Sequence, residues 1–259
     1  MYALIHSLLG DRKGGEIFTL FSLWHFLYIG LALLLIGAVL LLTRKKSAEK
    51  KIKAATVFVN IAFGLYVADF FLMPFAYGEI DIEKLPFHIC TAMCVTCFLS
   101  SHVGFLKPLK AHFALLGFIS NLVYLIYPAG VMWHAVHPIS YRVIQTLLFH
   151  AIMTVYGFLT IVFSKEKLTF RKSYTDFFVL CGMTLWAFVG NTLYNGAADG
   201  YDHFFNWFFV VEDPFGIFDK SVAPYIMPFL NIAVFFAVEL LIIGALTLAR
   251  GKQKKDHNK

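Results

Sequence analysis

The chain has 259 residues, of which 59% are hydrophobic and only 15% are charged, and its mean hydropathy is +0.71. Soluble domains carry about 25% charged residues, so this composition excludes a water-soluble globular domain. The net charge of +6 does not indicate nucleic acid as a partner, because all 22 Lys and Arg lie outside the long apolar segments.

Seven apolar segments are long enough to cross a bilayer as helices, which requires about 20 residues. The first, Phe21 to Thr43, is too long for the core of a signal peptide and has no small-residue cleavage site. In chain order the segments are residues 18–43, 54–76, 86–105, 111–131, 143–163, 174–195 and 223–248. We therefore expect an all-α membrane protein, a bundle of seven transmembrane helices.

The distribution of basic residues predicts the orientation of this bundle. Seventeen of the 22 Lys and Arg lie in segments on one side, which we expect to be cytoplasmic. The N-terminus is then outside and the C-terminus inside. The predicted organisation is an extracytoplasmic segment 1–17, a transmembrane domain 18–248 with its longest outer loop at 196–222, and a basic cytoplasmic tail 249–259.

Polar side chains concentrate in the outer half of the predicted helices. Each ionisable group in a membrane is a candidate functional residue, and at about 1.5 Å per residue these groups share one depth. They are His25, Asp69, His88, Cys90, Tyr127, His150, Asn191, Tyr194, Asn195 and Asn231. This predicts a polar pocket open to the outside, the alternative being ordinary hydrogen bonding between helices. The inner half holds fewer such groups, chiefly Asn60 and Glu239, and Glu239 is assigned no role.

Cys90 is the candidate nucleophile among the four cysteines, because it lies in this polar zone. A catalytic thiol needs a base, and His88 faces elsewhere, about 200° round an ideal helix. His150 is the first choice as base and His25 the second. The other thiols, Cys94, Cys97 and Cys181, are interpreted as packing residues, since the C-x-x-C pairs of structural zinc sites are absent. No metal or other cofactor is expected.

Several short motifs, taken in order, resemble the YwaF-like bacterial integral membrane proteins. The resemblance covers roughly residues 18–248. Its motifs are F-S-L-W-H at 21–25, L-P-F-H-I-C at 85–90, Tyr127-Pro128, Phe149-His150, Asn191, N-W-F-F at 206–209, E-D-P at 212–214 and A-P-Y-I at 223–226. Two departures are an outer loop enlarged between Asn191 and Asn206, and Trp207 in place of the usual Tyr.

The resemblance implies a lipid-modifying activity in the bacterial plasma membrane. The YwaF-like family is related to the animal transmembrane protein 164, a phospholipid acyltransferase with a membrane Cys, and more distantly to membrane lipid hydrolases that use Thr and His. Cys90 then becomes the nucleophile and His150 the base, with phospholipid as the partner. Oxyanion donors would be Asn191 or Tyr127. Candidate substrate-binding residues are His88, Asp69, Tyr127, Asn191, Tyr194 and, in the outer loop, Asn206.

Two further functions remain open at the level of sequence. One is binding or transport of a small solute or lipid without catalysis, although no inverted repeat or pair of broken helices supports a transporter. The other is a proton- or metal-linked sensor that uses His25, His88 and His150. The sequence does not determine the oligomeric state.

Overall fold

The computed structural model describes residues 9–10, 15–77, 82–132, 135–196 and 205–257, and this part of the chain contains helices and no strand. The main helices are α1 (Leu23–Thr43), α2 (Ala48–Tyr77), α3 (Ile89–His102), α4 (Lys110–Ile126), α5 (Tyr141–Phe163), α6 (Ser173–Gly196) and α7 (Ala223–His257). Short helical turns are Ile82–Lys84, Gly104–Leu109, Ala129–Met132, Phe170–Lys172 and Trp207–Phe209.

Some of the predicted regions fall partly outside the described residues. Residues 1–8 and 11–14 of the N-terminal segment, 197–204 of the enlarged outer loop and 258–259 of the basic tail are among them. Helix α7 continues through residues 249–257 of the predicted tail.

Six of the described helices are long and apolar enough to cross a membrane, which makes the chain a multi-pass membrane protein. The predicted third span, 86–105, differs, since α3 has only 14 residues and a length of about 21 Å. Its apolar segment is interrupted by the turn at Pro86 and by the helical turn Gly104–Leu109, which contains Pro108. A helix this short is tolerated inside a membrane where other protein segments surround it, and half of the residues of α3 are buried.

Two contacts near helix ends show the relative directions of α1, α4 and α5. His25 near the start of α1 contacts the carbonyl oxygen of Leu125 near the end of α4. Tyr28 of α1 donates to the carbonyl of Pro138, just before α5. The end where α1, α3, α5 and α7 begin is called the upper end below, and the opposite end the lower end.

The centre of the bundle is formed by α5 and α4. The apolar span of α5 is 78% buried, against 11% for α1 and for α7. At Gly157 of α5 a Cβ atom would lie 2.6 Å from Cβ of Phe118 on α4, so only glycine permits this close approach. α5 therefore carries His150 into the middle of the protein, whereas α1 and α7 form its outer surface.

Phe87 fixes the path of the chain into α3. Its ring packs against Trp186 at 4.9 Å and Trp207 at 5.1 Å between ring centroids. It also fills a notch at Gly190 of α6, where a Cβ atom would lie 2.3 Å from the ring. Trp186 Nε1 donates to the carbonyl of Pro86 at 2.7 Å. These contacts hold the residues immediately before His88.

The segment 205–222 folds back onto the upper end of the bundle. The side chains of Phe205, Trp207 and Phe208 are at most 5% exposed. Phe208 and Phe209 both adopt left-handed backbone conformations, with φ of 58° and 51°, which are unfavourable for residues with a Cβ. Nδ2 of Asn231 on α7 donates to both of their carbonyl oxygens, at 2.7 and 3.0 Å. This double contact stabilises the strained turn against α7.

Candidate functional site

Two cavities at the upper end meet at the side chains of His88, Cys90 and Tyr124, which line both of them. The smaller has a volume of about 90 Å³ and is lined by polar groups from before α3 and from α5. The larger has a volume of about 320 Å³ and lies between α4, α7 and residues 208–218. Cys90 therefore lies at the junction of a polar and an apolar space.

His150 presents a free acceptor nitrogen in the smaller cavity. Its Nδ1 lies 2.6 Å from the carbonyl oxygen of Thr146, so Nδ1 carries the hydrogen in the neutral ring. Nε2 is buried and makes no hydrogen bond within the described residues. The ring of Tyr124 stacks on the imidazole, with centroids 3.7 Å apart and planes 8° from parallel. The imidazole is thus fixed in both tautomer and orientation.

Cys90 is the second residue of α3, directly after Ile89 and the N-cap residue His88. Its thiol is 4% exposed and donates to the carbonyl of Ser120 on α4 at 3.8 Å. The first N–H groups of a helix have no partner within the helix, and no side-chain hydrogen bond from His88 caps this one. The start of α3 therefore offers a partial positive charge beside the thiol, suited to a developing negative charge.

Two cationic side chains, those of Lys84 and Arg142, also line the smaller cavity. Lys84 Nζ lies 2.8 Å from Oδ2 of Asp69, a carboxylate that is 2% exposed. Tyr66 of α2 donates to the backbone carbonyl of Lys84 at 2.9 Å. The cavity is therefore suited to an anionic group, and Asp69 acts on it by positioning Lys84.

The larger cavity is lined almost entirely by apolar side chains. Several of these are also exposed on the outside of the bundle, including Val123 of α4 (48%), Val234 of α7 (51%) and Phe215 (71%). The cavity consequently opens sideways between α4 and α7, at the surface that a membrane-embedded chain presents to lipid. An apolar ligand suits this lining better than a polar solute does.

A turn anchored by Asp213 forms one wall of the larger cavity. Its carboxylate accepts hydrogen bonds from the backbone N–H groups of Phe215, Ile217 and Phe218 at 2.6–2.9 Å. Desolvation raises the pKa of Asp213, but these three bonds outweigh it and the net pKa is lowered from its ordinary value. The ionised carboxylate is therefore part of the folded turn.

The family model described as the TMEM164 family matches residues 20–248. The chain belongs to the TMEM164 family. This confirms the remote relation to the animal transmembrane protein 164, whereas the narrower YwaF-like assignment remains an interpretation of the motifs. No curated protein and no solved structure matched the chain. All the residues that form the two cavities fall inside the part of the chain that the TMEM164 family model covers.

Five of the polar residues predicted from the sequence lie together around the cavities. Cys90, His88 and His150 line the smaller one. Tyr127 and Asn231 line the larger one, where the ring centroids of Tyr127 and Phe215 are 6.0 Å apart. Asp69 lines neither cavity but forms the ion pair that positions Lys84 in the smaller one. The structure thus joins the first-choice nucleophile and the first-choice base in one small space.

His25, the second choice as base, is not at the site. It lines neither cavity, and both ring nitrogens are already bonded: Nδ1 accepts from the N–H of Phe21 and Nε2 donates to the carbonyl of Leu125, each at 3.0 Å. The ring is fully buried. Depth within the membrane placed His25 level with Cys90, but its helix carries it to another part of the bundle.

Asn191, Tyr194 and Asn206 also lie away from the cavities, and they hold the segment 205–212 in place. Asn191 forms two hydrogen bonds with the backbone of Trp207, at 2.9 and 3.0 Å. Asn206 bonds the backbone of Glu212 and Val211, and Tyr194 packs against Trp207. These three residues thus make structural contacts, and their role in substrate binding stays a prediction.

The sequence analysis did not identify the two cations, Lys84 and Arg142, or the stacking residue Tyr124. A signal for the cations existed: they are two of only five basic residues on the sparsely charged side, and they flank His88 and His150. Tyr124 carried no such signal, because an aromatic residue in a membrane helix is common.

The remaining cysteines are packing residues where the structure describes their surroundings. Cys94 and Cys97 are fully buried in the main hydrophobic core, and a Cβ at Gly117 of α4 would contact Cys97 Sγ at 3.5 Å. Among the described residues no group of three or more His, Cys, Asp or Glu is placed to hold a metal ion. The sensor hypothesis thus lacks a ligand set in that part of the chain.

Proposed function

We propose that the chain is a membrane acyltransferase or acyl hydrolase that acts on lipid esters, with Cys90 as nucleophile and His150 as base. The observation that carries the proposal is the position of Cys90 between a cavity with cations and a free imidazole nitrogen and a second, apolar cavity. A lipid ester likewise has a polar head group on one side of its reactive carbonyl and an apolar acyl chain on the other.

The substrate class we propose is a phospholipid. Lys84 and Arg142 would bind the phosphate, since charged hydrogen bonds from Lys and Arg suit phosphate oxygens. One acyl chain would occupy the apolar cavity, whose volume of about 320 Å³ lies within the usual range of ligand pockets, roughly 300–1,000 Å³. The ester carbonyl would then lie near Cys90.

The reaction begins with transfer of the thiol proton of Cys90 to Nε2 of His150. The sulfur attacks the ester carbonyl and forms a tetrahedral intermediate. This intermediate expels the lysolipid oxygen, which takes the proton from His150, and a thioester remains on Cys90. A lysolipid hydroxyl or a water molecule then attacks the thioester, His150 accepts its proton and returns it to the sulfur, and the thiol is restored.

The first N–H groups of α3 are the oxyanion donors that this geometry favours. Preorganised backbone donors of this kind stabilise the negative charge of the intermediate. Asn191, an earlier candidate for this role, is committed to the backbone of Trp207. Tyr127 remains a candidate to contact the bound chain in the larger cavity.

We further propose that α1–α7 make seven crossings of a bacterial plasma membrane, with the upper end outside. The proposal is supported by the excess of Lys and Arg in the segments at the lower end. With this orientation the cavities face the outer leaflet, and the ester bonds of its lipids lie near the depth of Cys90.

The decisive experiment compares wild type with Cys90→Ala in lipid nanodiscs, using mass spectrometry of both lipid and intact protein. Cys94→Ala is the matched control, because Cys94 lies one turn further along α3, is fully buried and lines neither cavity. We expect lysolipid formation and an acyl adduct in wild type and in the control, and neither in Cys90→Ala. Equal turnover by Cys90→Ala would exclude the mechanism, and bound lipid without any product would favour a binding or transport protein.

A further inference from the structure

A second group of ionisable side chains is buried in the lower half of the bundle, away from both cavities. It consists of His112 near the start of α4, Asp176 near the start of α6 and Glu239 in the middle of α7. Their side chains are at most 5% exposed. The proposed reaction uses none of them. Ionisable groups inside a membrane protein are energetically costly, so each is a candidate functional residue.

The contacts of this group are incomplete. Nδ1 of His112 lies 2.7 Å from Oδ1 of Asp176. Oδ2 of Asp176 and both carboxyl oxygens of Glu239 are buried and have no hydrogen-bond partner within the described residues. Three acceptor oxygens therefore lack a donor in the interior of the protein.

Glu239 faces the same interface as Asp176. The ring of Phe236, one turn before Glu239, contacts Phe177, the neighbour of Asp176, with centroids 5.4 Å apart. Ile243, one turn after Glu239, is fully buried. Glu239 therefore lies at the interface of α7 with the beginning of α6, where Asp176 is located.

The net charge of His112, Asp176 and Glu239 indicates that a positive charge is missing from this group. With Glu239 ionised, the three side chains would carry a net negative charge in an apolar interior, whether or not His112 is protonated. Among the cations at the lower end, Lys172 pairs with Glu166 at 3.6 Å and Lys110 donates to Thr56 at 3.4 Å. Nη1 of Arg250 donates to the carbonyl of Leu168 at 3.1 Å, and its Nη2 has no partner within the described residues. Arg250 is eleven residues after Glu239, about 16 Å along α7. A buried charge of this kind is strongly unfavourable, so one positive charge has to be bound.

A proton meets this requirement better than a metal ion does. Hard cations such as Ca²⁺ take about six to eight oxygen ligands, and the space offers three free acceptor oxygens. In the described residues no set of three or more His, Cys, Asp or Glu side chains is arranged to hold a metal. A single proton on Glu239 removes the charge of this carboxyl group and gives it a hydrogen-bond donor.

We infer that Glu239, beside the His112–Asp176 pair, forms a proton-binding site in which Glu239 carries a proton at neutral pH. His112 supplies a hydrogen-bond donor to Asp176. The site joins α7 to α6 and α4 one turn below Val234 and Phe235, which line the larger cavity. Proton binding in the lower half is thereby linked to the helix that forms a wall of the upper cavity.

Infrared spectroscopy of the protein in a detergent without ester groups at neutral pH tests this inference directly, because a protonated carboxyl has a C=O band that a carboxylate lacks. We expect this band in wild type, its loss in Glu239→Gln and its retention in Glu166→Gln, a control at a half-exposed carboxyl. Gln resembles the protonated acid in shape, so Glu239→Gln should fold. A wild-type spectrum without the band, or a band unchanged by Glu239→Gln, would overturn the assignment.

Labelling with dicyclohexylcarbodiimide, a hydrophobic reagent that modifies protonated carboxyl groups, gives a second readout that needs only the wild-type protein. Peptide mass spectrometry should locate the label on Glu239, with labelling falling as pH rises. Absence of label on Glu239 at neutral pH would contradict the inference, and protection by sodium at constant pH would assign the site to a metal cation. Neither measurement depends on catalysis by Cys90.

Discussion

Nδ1 of His150 lies 2.6 Å from the carbonyl oxygen of Thr146, one turn earlier on α5. Because a carbonyl oxygen only accepts, Nδ1 is the protonated nitrogen of the neutral ring and Nε2 keeps its lone pair. The backbone of α5 therefore fixes the tautomer that a general base requires, a task that a carboxylate performs in the Ser-His-Asp triad.

Replacement of His150 by Gln should remove the base while leaving a polar side chain beside Tyr124. We expect lipid turnover to fall by about 10²- to 10⁴-fold, the usual contribution of general base catalysis. The measurement is lysolipid release in nanodiscs. His102→Gln is the control, since His102 is exposed and bonded to Asn60 at the lower end. Turnover within a few-fold of wild type in His150→Gln would rule out His150 as the base.

Replacement of Asp69 by Asn should destabilise the fold, because it leaves the ammonium group of Lys84 without its buried partner. Breaking a fully buried pair costs about 3–5 kcal/mol, and we expect about 2 kcal/mol here since Lys84 keeps 18% exposure. Thermal unfolding in detergent measures the loss.

The single variant Lys84→Met and the double variant Asp69→Asn with Lys84→Met complete the cycle for this ion pair. The double variant should recover most of the stability lost in Asp69→Asn, because an apolar side chain needs no counter-charge. Its turnover should stay low, since the cation that faces the smaller cavity is gone. Stability losses that simply add would show that the two side chains do not act as a pair.

Replacement of Gly190 by Ala should disturb the start of α3. The new Cβ would lie 2.3 Å from the ring of Phe87, and Trp186 and Trp207 restrict the movement of that ring. We expect a loss of about 1–3 kcal/mol from overpacking and lower turnover, because Phe87 positions His88 and Cys90.

Gly182→Ala is the matched control for this substitution on the same helix. Nothing lies within 4 Å of a Cβ built at Gly182, so Ala there should be neutral or stabilise the helix by up to about 1 kcal/mol. Equal thermal stability of the Gly190→Ala and Gly182→Ala variants would contradict the packing that we assign to Phe87.

The turn at Asp213 should make stability depend on pH in the acidic range. Desolvation raises the pKa of Asp213, the three backbone hydrogen bonds lower it, and the net pKa is below its ordinary value. The stabilisation is therefore complete above the unfolded pKa of about 4 and is lost as pH falls through the folded pKa.

Thermal unfolding of wild type and Asp213→Asn between neutral and acidic pH measures this effect. The advantage of wild type over Asp213→Asn should be constant at neutral pH and shrink below about pH 4, where the protonated carboxyl resembles the amide. Glu166→Gln, at a half-exposed carboxyl of the lower end, serves as the control. A difference that stays constant over the whole range would refute the role of the ionised carboxylate.

The positions of the long helices were predictable, because a helix needs about 20 apolar residues to cross a bilayer. The apolar segments predicted the six long helices to within a few residues at most of their ends. The largest differences, of five to nine residues, are at the starts of α1 and α2 and at the ends of α4 and α7. α3 is three residues shorter than predicted at each end, where Pro86 and the turn at Gly104–Leu109 interrupt it. Proline effects of this kind were visible in the sequence, but the protection of a short helix by its neighbours was not.

The candidate site was only partly predictable, because depth along a helix is one coordinate of three. Predicted depth in the membrane grouped His25, His150 and Cys90, whereas in the structure the arrangement of the helices separates His25 from the other two. Predicted depth also made Asn191 a candidate site residue like Cys90, although the amide of Asn191 bonds the backbone of Trp207. Rotation about each helix axis and the order of helices in the bundle supply the other two coordinates.

The sequence by itself determined that this chain is a helical membrane protein, since 59% hydrophobic residues in long uninterrupted segments allow no other class. Its motifs pointed to Cys90 and His150. Only the tertiary structure decided that these two side chains line one cavity with Lys84 and Arg142, and that an apolar space opens beside them. The physical reason is that these contacts join residues far apart in the chain, and local propensity carries no information about which helix faces which.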